Sequence, residues 1–426
     1  MPTLSIQPSS LQGHLQIPPS KSQTIRAIVF GMMAEGTTCI ENHLSSPDTD
    51  AMIEAARLFG AKIDVGTGLT IEGLGGKLLP AENVIDCGNS GLVLRFAGAL
   101  AALLPTYTIL TGDHSIRHNR LVKPLLEGLQ QWGALAISSR LDDGAPLIVR
   151  GPLRGGTASI SGEDSQPVSA LLIAGAFSPY STELYVSNPG EKPWVAMTLD
   201  WFRRLQIPFI CDRFGYYKME GKGSIQGFNY TVPADFSTAA FPLAAALVTQ
   251  SELTLHGLDM DDPQGDKAVI SLLQKMGAKI EIDPAGKSVV VKKGGTLTGM
   301  RIDVNDCVDA LPILAVIGCF AEGKTQITGG AIARKKESDR ISCMARELKK
   351  MGGDIEETAD GLIVRPAPLR GANMESHADH RLGLALCVAA LGASGESSIA
   401  GIECARKSYP SFFADFLHIG ARMEKR

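Results

Sequence analysis

The sequence lacks several features that would place it in a specialised protein class. No apolar run reaches the roughly 18 residues needed to cross a bilayer, and no basic segment followed by an apolar one marks a signal peptide at its start. None of the eight cysteines stands in a C-x-x-C pair. We therefore expect a cytoplasmic protein with reduced, buried thiols and no association with a membrane.

The sequence also lacks a strong excess of charge. It has 45 acidic and 41 basic residues, which gives a formal charge of −4. This balance argues against a protein that binds nucleic acid or a membrane surface through general positive charge. With 44% hydrophobic and 20% charged residues, the composition is that of a soluble globular protein. A chain of 426 residues is too long for one compact core, so two domains are expected.

Motifs for common cofactors are missing or out of context. No G-x-G-x-x-G fingerprint occurs, and "GNSGL" at residues 88–92 narrowly misses the nucleophile elbow G-x-S-x-G. "GCFAEGKT" at residues 318–325 matches the P-loop pattern, but a helix-like segment precedes it and a strand-like one follows, the reverse of that loop. His377 and His380 stand three apart without an evident third ligand. The sequence predicts neither a metal nor a cofactor.

What the chain does contain is an internal repeat. An apolar segment rich in Ala and Gly, a short polar break and an alternating, strand-like run recur six times, as in "FPLAAALVTQSELTLHG". The Gly or Asn that closes each copy stands at positions 42, 112, 188, 257, 329 and 401, so the copies are 69 to 76 residues apart. Six units of this length predict two domains of three units each.

A second signature follows every copy of the first. It reads as the end of an amphipathic helix, usually with Gly at its C-cap, and then a strand, as in "LQKMGAKIEI". The helices rich in Ala and Gly should be buried on all sides, with close backbone approach. Together the two signatures predict an α/β architecture.

Four polar segments interrupt this apolar background. Each combines cations with small polar residues at the predicted start of a helix, where free backbone N–H groups suit a phosphate or a carboxylate. They are residues 17–26 ("IPPSKSQTIR"), 86–96 ("DCGNSGLVLRF"), 334–340 ("RKKESDR") and 379–381 ("DHR"), followed later by Lys407. In the third segment, Lys336 and Arg340 are four apart and would share a helix face. Such cations, gathered from several repeats, predict small substrates with several phosphates or carboxylates.

These motifs, in this order and together with "SQPVSALL", "PAD" and "ARKSYPSFF", resemble the 5-enolpyruvylshikimate-3-phosphate synthase family over essentially the whole chain. The resemblance implies two similar domains, each of three βαββαβ units in an inverted α/β barrel, with the active site in the cleft between them. It also implies two chain crossings. Residues 1–18 plus 234–426 would then form a discontinuous domain, and residues 19–233 an inserted one.

The resemblance further implies a reaction. A carboxyvinyl group would pass from phosphoenolpyruvate to the 5-hydroxyl of 3-phosphoshikimate through a tetrahedral intermediate, with release of phosphate. Neither a metal nor a covalent enzyme intermediate would be required. We expect these two small molecules to be the partners of a monomeric protein that binds neither nucleic acid nor membrane.

Substrate-binding residues follow from the matched motifs. For 3-phosphoshikimate the resemblance implies Lys21, Ser22, Arg26, Ser165, Gln166, Asp309 and Lys336. For phosphoenolpyruvate it implies Lys21, Asn89, Gly91, Arg120, Gln166, Arg340, Arg381 and Lys407. Arg117 is the alternative to Arg120, because "SIRHNRLVKP" lacks the Arg-Pro typical of the family. In addition, Leu92 replaces a common Thr, and Asp164 would repel an anion unless it is turned away.

Three residues are implied in catalysis. Asp309 would take the 5-hydroxyl proton, and Glu337 would transfer a proton to or from the carbons derived from phosphoenolpyruvate, with Lys21 as a competing candidate. Addition to an enol ether needs such proton delivery to carbon beside a base that removes the hydroxyl proton. An alternative role for Asp309 is to cap the helix that begins at "DALPILAVI", and capping and catalysis are compatible.

Two alternative functions remain at this point. The first is the sister reaction, which transfers the same carboxyvinyl group to UDP-N-acetylglucosamine. That enzyme carries Lys-Asn where this chain has Lys21 and Ser22, and it has a loop cysteine that "GDHSIRHNR" lacks. The second is a non-catalytic anion-binding scaffold, which would keep the cations but lose Asp309 and Glu337.

Overall fold

The chain folds into two compact units, which we describe from a computed structural model that covers residues 3–426. The first unit combines the N-terminal segment up to Pro18 with Pro233–Arg426, and the second is Pro19–Val232. Each unit has its own continuous hydrophobic core. Within residues 3–426 no helix is long and apolar enough to cross a membrane.

Helices occupy both units in similar numbers. The α-helices are α1 (Lys21–Met33), α2 (Pro47–Leu58), α3 (Gly91–Ala101), α4 (His114–His118), α5 (Lys123–Gln131), α6 (Ser165–Phe177), α7 (Lys192–Arg204), α8 (Phe236–Val248), α9 (Ala268–Lys275), α10 (Leu311–Phe320), α11 (Arg340–Lys350), α12 (His380–Gly392) and α13 (Phe412–His418). Short 3-10 helices span Gly265–Lys267, Val308–Ala310, Ala331–Lys335 and Ile402–Lys407.

The strands are short, as expected for sheets that cover a helical core. They are β1 (Thr3–Gln7), β2 (Gln12–Gln16), β3 (Thr37–Glu41), β4 (Lys62–Val65), β5 (Leu69–Glu72), β6 (Ile85–Asp86), β7 (Thr108–Thr111), β8 (Leu135–Ser138), β9 (Leu147–Arg150), β10 (Gly156–Ser161), β11 (Thr182–Ser187), β12 (Phe209–Asp212), β13 (Tyr216–Met219), β14 (Asn229–Thr231), β15 (Glu252–His256), β16 (Ile280–Asp283), β17 (Ser288–Val291), β18 (Arg301–Asp303), β19 (Thr325–Thr328), β20 (Asp354–Thr358), β21 (Gly361–Arg365), β22 (Asn373–Glu375), β23 (Ser397–Ala400) and β24 (Arg422–Lys425).

These strands form six four-stranded sheets that share one topology. In the sheet β6-β7-β9-β8, β6 is parallel to β7, whereas β9 is antiparallel to both β7 and β8. The sheets β10-β11-β13-β12 and β18-β19-β21-β20 repeat this order. The α/β class with two domains of three repeats each is therefore confirmed. The order of elements within a repeat is βαβαββ, however, and differs from the predicted βαββαβ.

The remaining three sheets are completed by strands that are distant in sequence. β14 ends the second unit and pairs in parallel with β3 at its start. In the first unit, β2 pairs in parallel with β15, and β1 lies between β23 and β24. The segment before Pro18 thus supplies one strand to each of two sheets, which explains why this unit is discontinuous in sequence.

The first helix of each repeat is buried, as predicted from its small residues. Every residue of α3 is buried, and α12 is buried from His380 to Leu391. In the first unit α8, α10 and α12 pack against one another, and in the second α3 packs against α6. The helices therefore form the core and the sheets lie outside them.

Left-handed backbone marks both repeat signatures. Of the six residues that close the first signature, Asn42, Asn188, Gly257, Gly329 and Gly401 have φ between +51° and +88°. At the second signature all six positions have positive φ, namely Gly60, Gly133, Gln206, Gly277, Gly352 and Gly420. The predicted C-caps are thus confirmed, with Gln206 in place of the usual Gly. The segment 318–325 that matches the P-loop pattern runs from the end of α10 to the start of β19, in the reversed order expected from the sequence.

Candidate active site

The predicted residues of the first unit gather around the buried guanidinium of Arg340, the first residue of α11. Its Nη1 lies 2.7 Å from Oδ1 of Asp309, and its Nη2 lies 2.9 Å from Oε2 of Glu337. Its Nε lies 2.8 Å from Oδ2 of Asp379. The side chain of Arg340 is only 1% exposed. Three carboxylates from three separate segments therefore meet at one cation, as a buried charge requires.

A second cation binds the other oxygen of Glu337. The Nζ of Lys407 lies 2.7 Å from Oε1 of Glu337, and both side chains are at most 8% exposed. Glu337 thus bridges Arg340 and Lys407, which are far apart in sequence. Lys336 is also buried and acts electrostatically on Asp309. With Arg381, whose Nη2 lies 3.4 Å from Oδ2 of Asp309, the cluster contains four cations and three carboxylates.

One predicted relationship in this cluster is wrong. Lys336 and Arg340 do not share a helix face, because α11 begins only at Arg340. Asp339 caps that helix by accepting a hydrogen bond from the backbone N–H of Ser342 at 3.0 Å. Lys336 instead ends the preceding 3-10 helix, with φ −89° and ψ −149°. The two cations reach the same cluster from a turn and a helix start.

The carboxylate of Asp309 faces two arginines and does not cap a helix. It lies in the 3-10 helix Val308–Ala310, and its Oδ2 is 3.4 Å from Nη2 of Arg381. The next helix, α10, has no side-chain cap. Burial by itself would raise the pKa of Asp309, but Arg381, Arg340 and Lys336 together hold it well below its usual range. The capping alternative is therefore excluded, and Asp309 is ionised near neutral pH.

Arg381 is buried but only partly satisfied. Its backbone N–H donates to the cap residue Asp379 at 2.9 Å, and its Nη2 approaches Asp309. Within residues 3–426, the buried Nε and Nη1 of Arg381 have no hydrogen-bond partner. Two buried donors without acceptors cost free energy, which a bound anion would recover. Arg381 therefore has the properties of an anion-binding group.

Sequence reasoning missed Asp266, which lies next to this cluster. It is buried in the 3-10 helix Gly265–Lys267, which packs against the segment that carries Asp309. Burial raises the pKa of Asp266 to about 7, with a further contribution from Asp309, whereas Arg381 acts in the opposite direction. Its segment, "PQGDK", carries no cation cluster and no repeat signature, so no sequence signal singled it out.

In the second unit, Lys21 is linked to the turn before α3. Lys21 is the first residue of α1, and its Nζ lies 3.1 Å from Oδ2 of the buried Asp48. The same oxygen accepts a hydrogen bond from the hydroxyl of Ser90, the N-cap of α3, at 3.0 Å. Asp48, which sequence reasoning missed, thus connects the starts of α1 and α3.

Arg26 and Ser22 belong to the same helix start. The side chain of Arg26 donates to Oγ1 of Thr198 at 3.0 Å and to the carbonyls of Ser22 and Trp194 at 3.2 and 3.0 Å. Ser22 itself is half-buried. Arg26 therefore fastens α1 to α7, and much of its donor capacity is used within the protein.

The start of α3 contacts Arg120 and not Arg117. A Cβ built on Gly91 would lie 2.7 Å from Nη2 of Arg120, so the guanidinium touches this glycine directly. Arg117 donates instead to the carbonyl of Gly112. Asn89, in the same turn as Gly91, donates to the carboxylate of Asp113. Of the two candidate arginines, Arg120 is therefore the one beside the turn at the start of α3.

The start of α6 is arranged so that Asp164 is neutralised. Its Oδ2 lies 3.1 Å from Nη2 of the buried Arg95, and its Oδ1 accepts from the backbone N–H of Gln166. Asp164 is thus a helix cap paired with a cation, which resolves the repulsion expected from its sequence position. The N–H and hydroxyl of Ser165 both donate to Glu191 at 3.1 Å. Glu191 was also missed by sequence reasoning.

Within residues 3–426, no three side chains of His, Cys, Asp or Glu are grouped so that they could hold a metal ion.

The predicted site residues fall into two sets, one in each unit. One consists of Asp309, Lys336, Glu337, Arg340, Arg381 and Lys407 in the first unit. The other consists of Lys21, Ser22, Arg26, Asn89, Gly91, Arg120, Ser165 and Gln166 in the second unit.

Comparisons with known proteins agree with one another. Residues 6–416 match the family model described as EPSP synthase (3-phosphoshikimate 1-carboxyvinyltransferase). The 3-phosphoshikimate 1-carboxyvinyltransferase of Chlamydia caviae is 42% identical over 415 residues, which cover 97% of this chain and 92% of that relative. The protein of the same name from Acetivibrio thermocellus is 41% identical over 419 residues, 98% of each chain. The solved structure of EPSP synthase from Acinetobacter baumannii is 29% identical and superimposes with a TM-score of 0.84 over 100% of both chains.

Proposed function

The chain belongs to the EPSP synthase family, and on that premise we propose that it transfers the carboxyvinyl group of phosphoenolpyruvate to the 5-hydroxyl of 3-phosphoshikimate. In the addition step, the 5-oxygen bonds to C2 of phosphoenolpyruvate while C3 gains a proton and the hydroxyl loses one. In the elimination step, the methyl group returns a proton and the bond from C2 to the phosphate oxygen breaks. The protein must therefore supply anion-binding groups and at least one acid–base pair.

The observation that carries this proposal is the state of Arg381. This guanidinium is 4% exposed, and two of its nitrogens have no acceptor among residues 3–426. A carboxylate bound to Arg381 would accept hydrogen bonds from donors that the protein itself leaves unpaired, and such charge-assisted bonds are strong. We assign the carboxylate of phosphoenolpyruvate to Arg381, with Arg340 and Lys407 as the neighbouring cations. Asn89, Gly91 and Arg120 of the second unit would bind the same substrate at the start of α3.

Asp309 would become a base only when substrate is bound. In the ligand-free protein, burial favours a higher pKa of Asp309, but the attraction of Arg381, and to a smaller extent of Arg340 and Lys336, keeps this pKa low. A carboxylate with a low pKa is a weak proton acceptor. An anion that takes up donors of Arg381 weakens their attraction for the Asp309 carboxylate. The pKa of Asp309 then rises as the hydroxyl of phosphoshikimate arrives. Phosphoenolpyruvate would in this way activate the residue that deprotonates its partner.

Glu337 is proposed as the group that exchanges a proton with C3. Its two oxygens are bonded to Arg340 and Lys407, the cations that we assign to phosphoenolpyruvate. An anion bound to those cations would lie next to the Glu337 carboxylate. Lys21, the first residue of α1, remains the competing proton carrier, and its Nζ lies 3.1 Å from Oδ2 of Asp48.

3-Phosphoshikimate is assigned to the helix starts of the second unit and to two residues of the first. Lys21 and Ser22 begin α1, and Ser165 and Gln166 begin α6. The backbone N–H groups of Ser165 and Gln166 already donate to Glu191 and Asp164, so we assign the side chains at these helix starts to the substrate. Arg26 would contribute those N–H donors that are not used in its hydrogen bonds to Thr198, Ser22 and Trp194. Lys336 and Asp309 would contact the same substrate from the first unit.

We also propose that the protein acts as a cytoplasmic monomer. All eight cysteines are free thiols, and Cys87, Cys307, Cys319 and Cys387 are buried, which suits a reducing compartment. Each unit buries its own core without a second chain. Size-exclusion chromatography with light scattering tests the monomer, and a mass near twice 45.2 kDa would contradict it.

An assay of phosphate release tests the reaction. The protein is incubated with phosphoenolpyruvate and either 3-phosphoshikimate or UDP-N-acetylglucosamine. Release with 3-phosphoshikimate alone is the expected result. Release with only the nucleotide sugar would establish the sister reaction, and no release with either acceptor would favour a non-catalytic scaffold.

A further inference from the structure

The segment that delivers Asp379 and Arg381 begins with an unusual tight turn. The backbone N–H of Asp379 donates to the carbonyl of Ser376 at 2.9 Å, and the two residues between them are His377 and Ala378. Both are left-handed, with φ of +52° and +55°. This combination is that of a type I′ turn, which Gly and Asn normally occupy. For alanine the left-handed region is unfavourable, so something must hold this turn.

Glu347 of α11 contacts that turn and the strand that leads into it. Its side chain is completely buried. One oxygen, Oε1, lies 2.8 Å from Nε2 of His377, the first left-handed residue. The other, Oε2, accepts from the backbone N–H of Glu375 at 3.1 Å and from Nζ of Lys350 at 2.7 Å. The carboxylate is therefore bound to the strand before the turn and to the turn itself.

The same helix holds the far end of the turn through Arg340. Arg340 and Glu347 are seven residues apart, or about two helical turns, and so lie on one face of α11. Arg340 binds Asp379 directly after the turn, and Glu347 binds His377 within it. Asp379 in turn caps α12 through the N–H of Arg381. Any relaxation of the turn would shift both Asp379 and Arg381.

We propose that Glu347 is a positioning residue, which holds the left-handed turn Ser376–Asp379 so that Asp379 keeps its contact with Arg340 and Arg381 has the geometry needed to bind phosphoenolpyruvate. This inference rests on the proposed function for its effect on catalysis. The side chain of Glu347 is completely buried, so it is not expected to touch substrate.

Glycine at position 378 offers a direct test, because Gly adopts positive φ without the steric cost of a Cβ. The variants are Glu347→Gln, Ala378→Gly and the double variant, with Glu356→Gln as a matched control. Glu356 is an exposed carboxylate paired with Arg365 in a sheet and lies outside the proposed site. For each we would measure kcat, the KM of both substrates and backbone hydrogen exchange at residues 376–381.

We expect Glu347→Gln to raise the KM for phosphoenolpyruvate about tenfold, which corresponds to about 1.4 kcal/mol of binding free energy. The KM for phosphoshikimate should change little. Exchange at residues 376–381 should become faster. Ala378→Gly alone and Glu356→Gln should stay within about twofold of wild type. The double variant should recover most of the lost affinity, because glycine at position 378 adopts the left-handed conformation without the contact from Glu347.

Two results would overturn the proposal. One is a normal KM for phosphoenolpyruvate in Glu347→Gln, even if the variant is less stable, and the other is a raised KM that Ala378→Gly fails to rescue. If the wild type proves inactive, the proposed function fails instead. Hydrogen exchange then decides the role of Glu347, and unchanged exchange at residues 376–381 would reject it.

Discussion

Lys407 and Glu337 form a buried ion pair, with Nζ and Oε1 2.7 Å apart, although 70 residues separate them in sequence. The other oxygen of Glu337 lies 2.9 Å from Nη2 of Arg340, so each carboxylate oxygen is paired with a cation. A substrate anion that takes over these cations would free Glu337 for proton transfer. The pair thus links the binding of phosphoenolpyruvate to the chemistry proposed for its carbon atoms.

Glu337→Gln should therefore lose turnover and keep substrate binding. The amide has the same shape but cannot exchange a proton, so kcat should fall at least about 100-fold. Affinity for phosphoshikimate should be equal or tighter, because a negative charge beside a polyanion has been removed. Steady-state kinetics and titration calorimetry separate the two effects. The exposed Glu356→Gln is the control, and a wild-type kcat in Glu337→Gln would transfer its role to Lys21.

The fold was predictable where local backbone chemistry signals it. Glycines such as Gly277 and Gly352 stop a helix in the left-handed region, and they recur with the repeat, so both helix ends and repeat length could be derived. The order βαβαββ could not be derived. The strand β6 is only two residues long, and β14 pairs with β3, from which it is separated by almost the entire sequence of the unit. Such pairing leaves no local pattern.

The candidate site was predictable where cations stand at helix starts. Lys336 was assigned to the wrong element, although Asp339 is a good N-cap and could have shown that α11 begins at Arg340. The acidic partners were harder to find. Asp266 and Glu191 act through burial and through neighbours distant in sequence, which composition and spacing do not reveal.

Gly91→Ala tests the contact between α3 and Arg120. The new methyl group would lie within 3 Å of three guanidinium atoms, so Arg120 must move. We expect a KM for phosphoenolpyruvate raised about tenfold or more, since one charge-assisted contact is misplaced. Gly98→Ala in the same helix is the matched control, because its Cβ would meet Leu125 at an ordinary 3.6 Å. Equal KM values in the two variants would remove Arg120 from the site.

Asp266 should make the free energy of unfolding decrease as the pH rises, which is uncommon for a carboxylate. Its pKa is raised from 3.8 to about 7, chiefly by burial, so the folded protein keeps a proton that the unfolded chain releases. The wild type should lose stability as pH rises from about 4 to about 7. Asp266→Asn, which stays neutral, should flatten this dependence. Urea unfolding at pH 5 and pH 8 measures it, and the same slope in both proteins would show that Asp266 is not the group responsible.

Asp309 should titrate differently in the free and substrate-bound protein. In the free protein burial favours a higher pKa, but Arg381, Arg340 and Lys336 dominate and keep it well below its usual range. Profiles of kcat/KM report the free protein, so they should show no acidic limb from Asp309 above about pH 4.

Bound phosphoenolpyruvate competes for the same arginine donors, so the pKa of Asp309 should rise in the complex. The profile of kcat should then have an acidic limb at higher pH than that of kcat/KM. Asp309→Asn should remove this limb and lower kcat at least about 100-fold, because the hydroxyl proton loses its acceptor. Arg381→Lys keeps the charge but not the bidentate fork, and it should raise the KM for phosphoenolpyruvate more than it lowers kcat. If both profiles fall at the same pH in the wild type, substrate binding does not activate Asp309 and the base must be sought elsewhere.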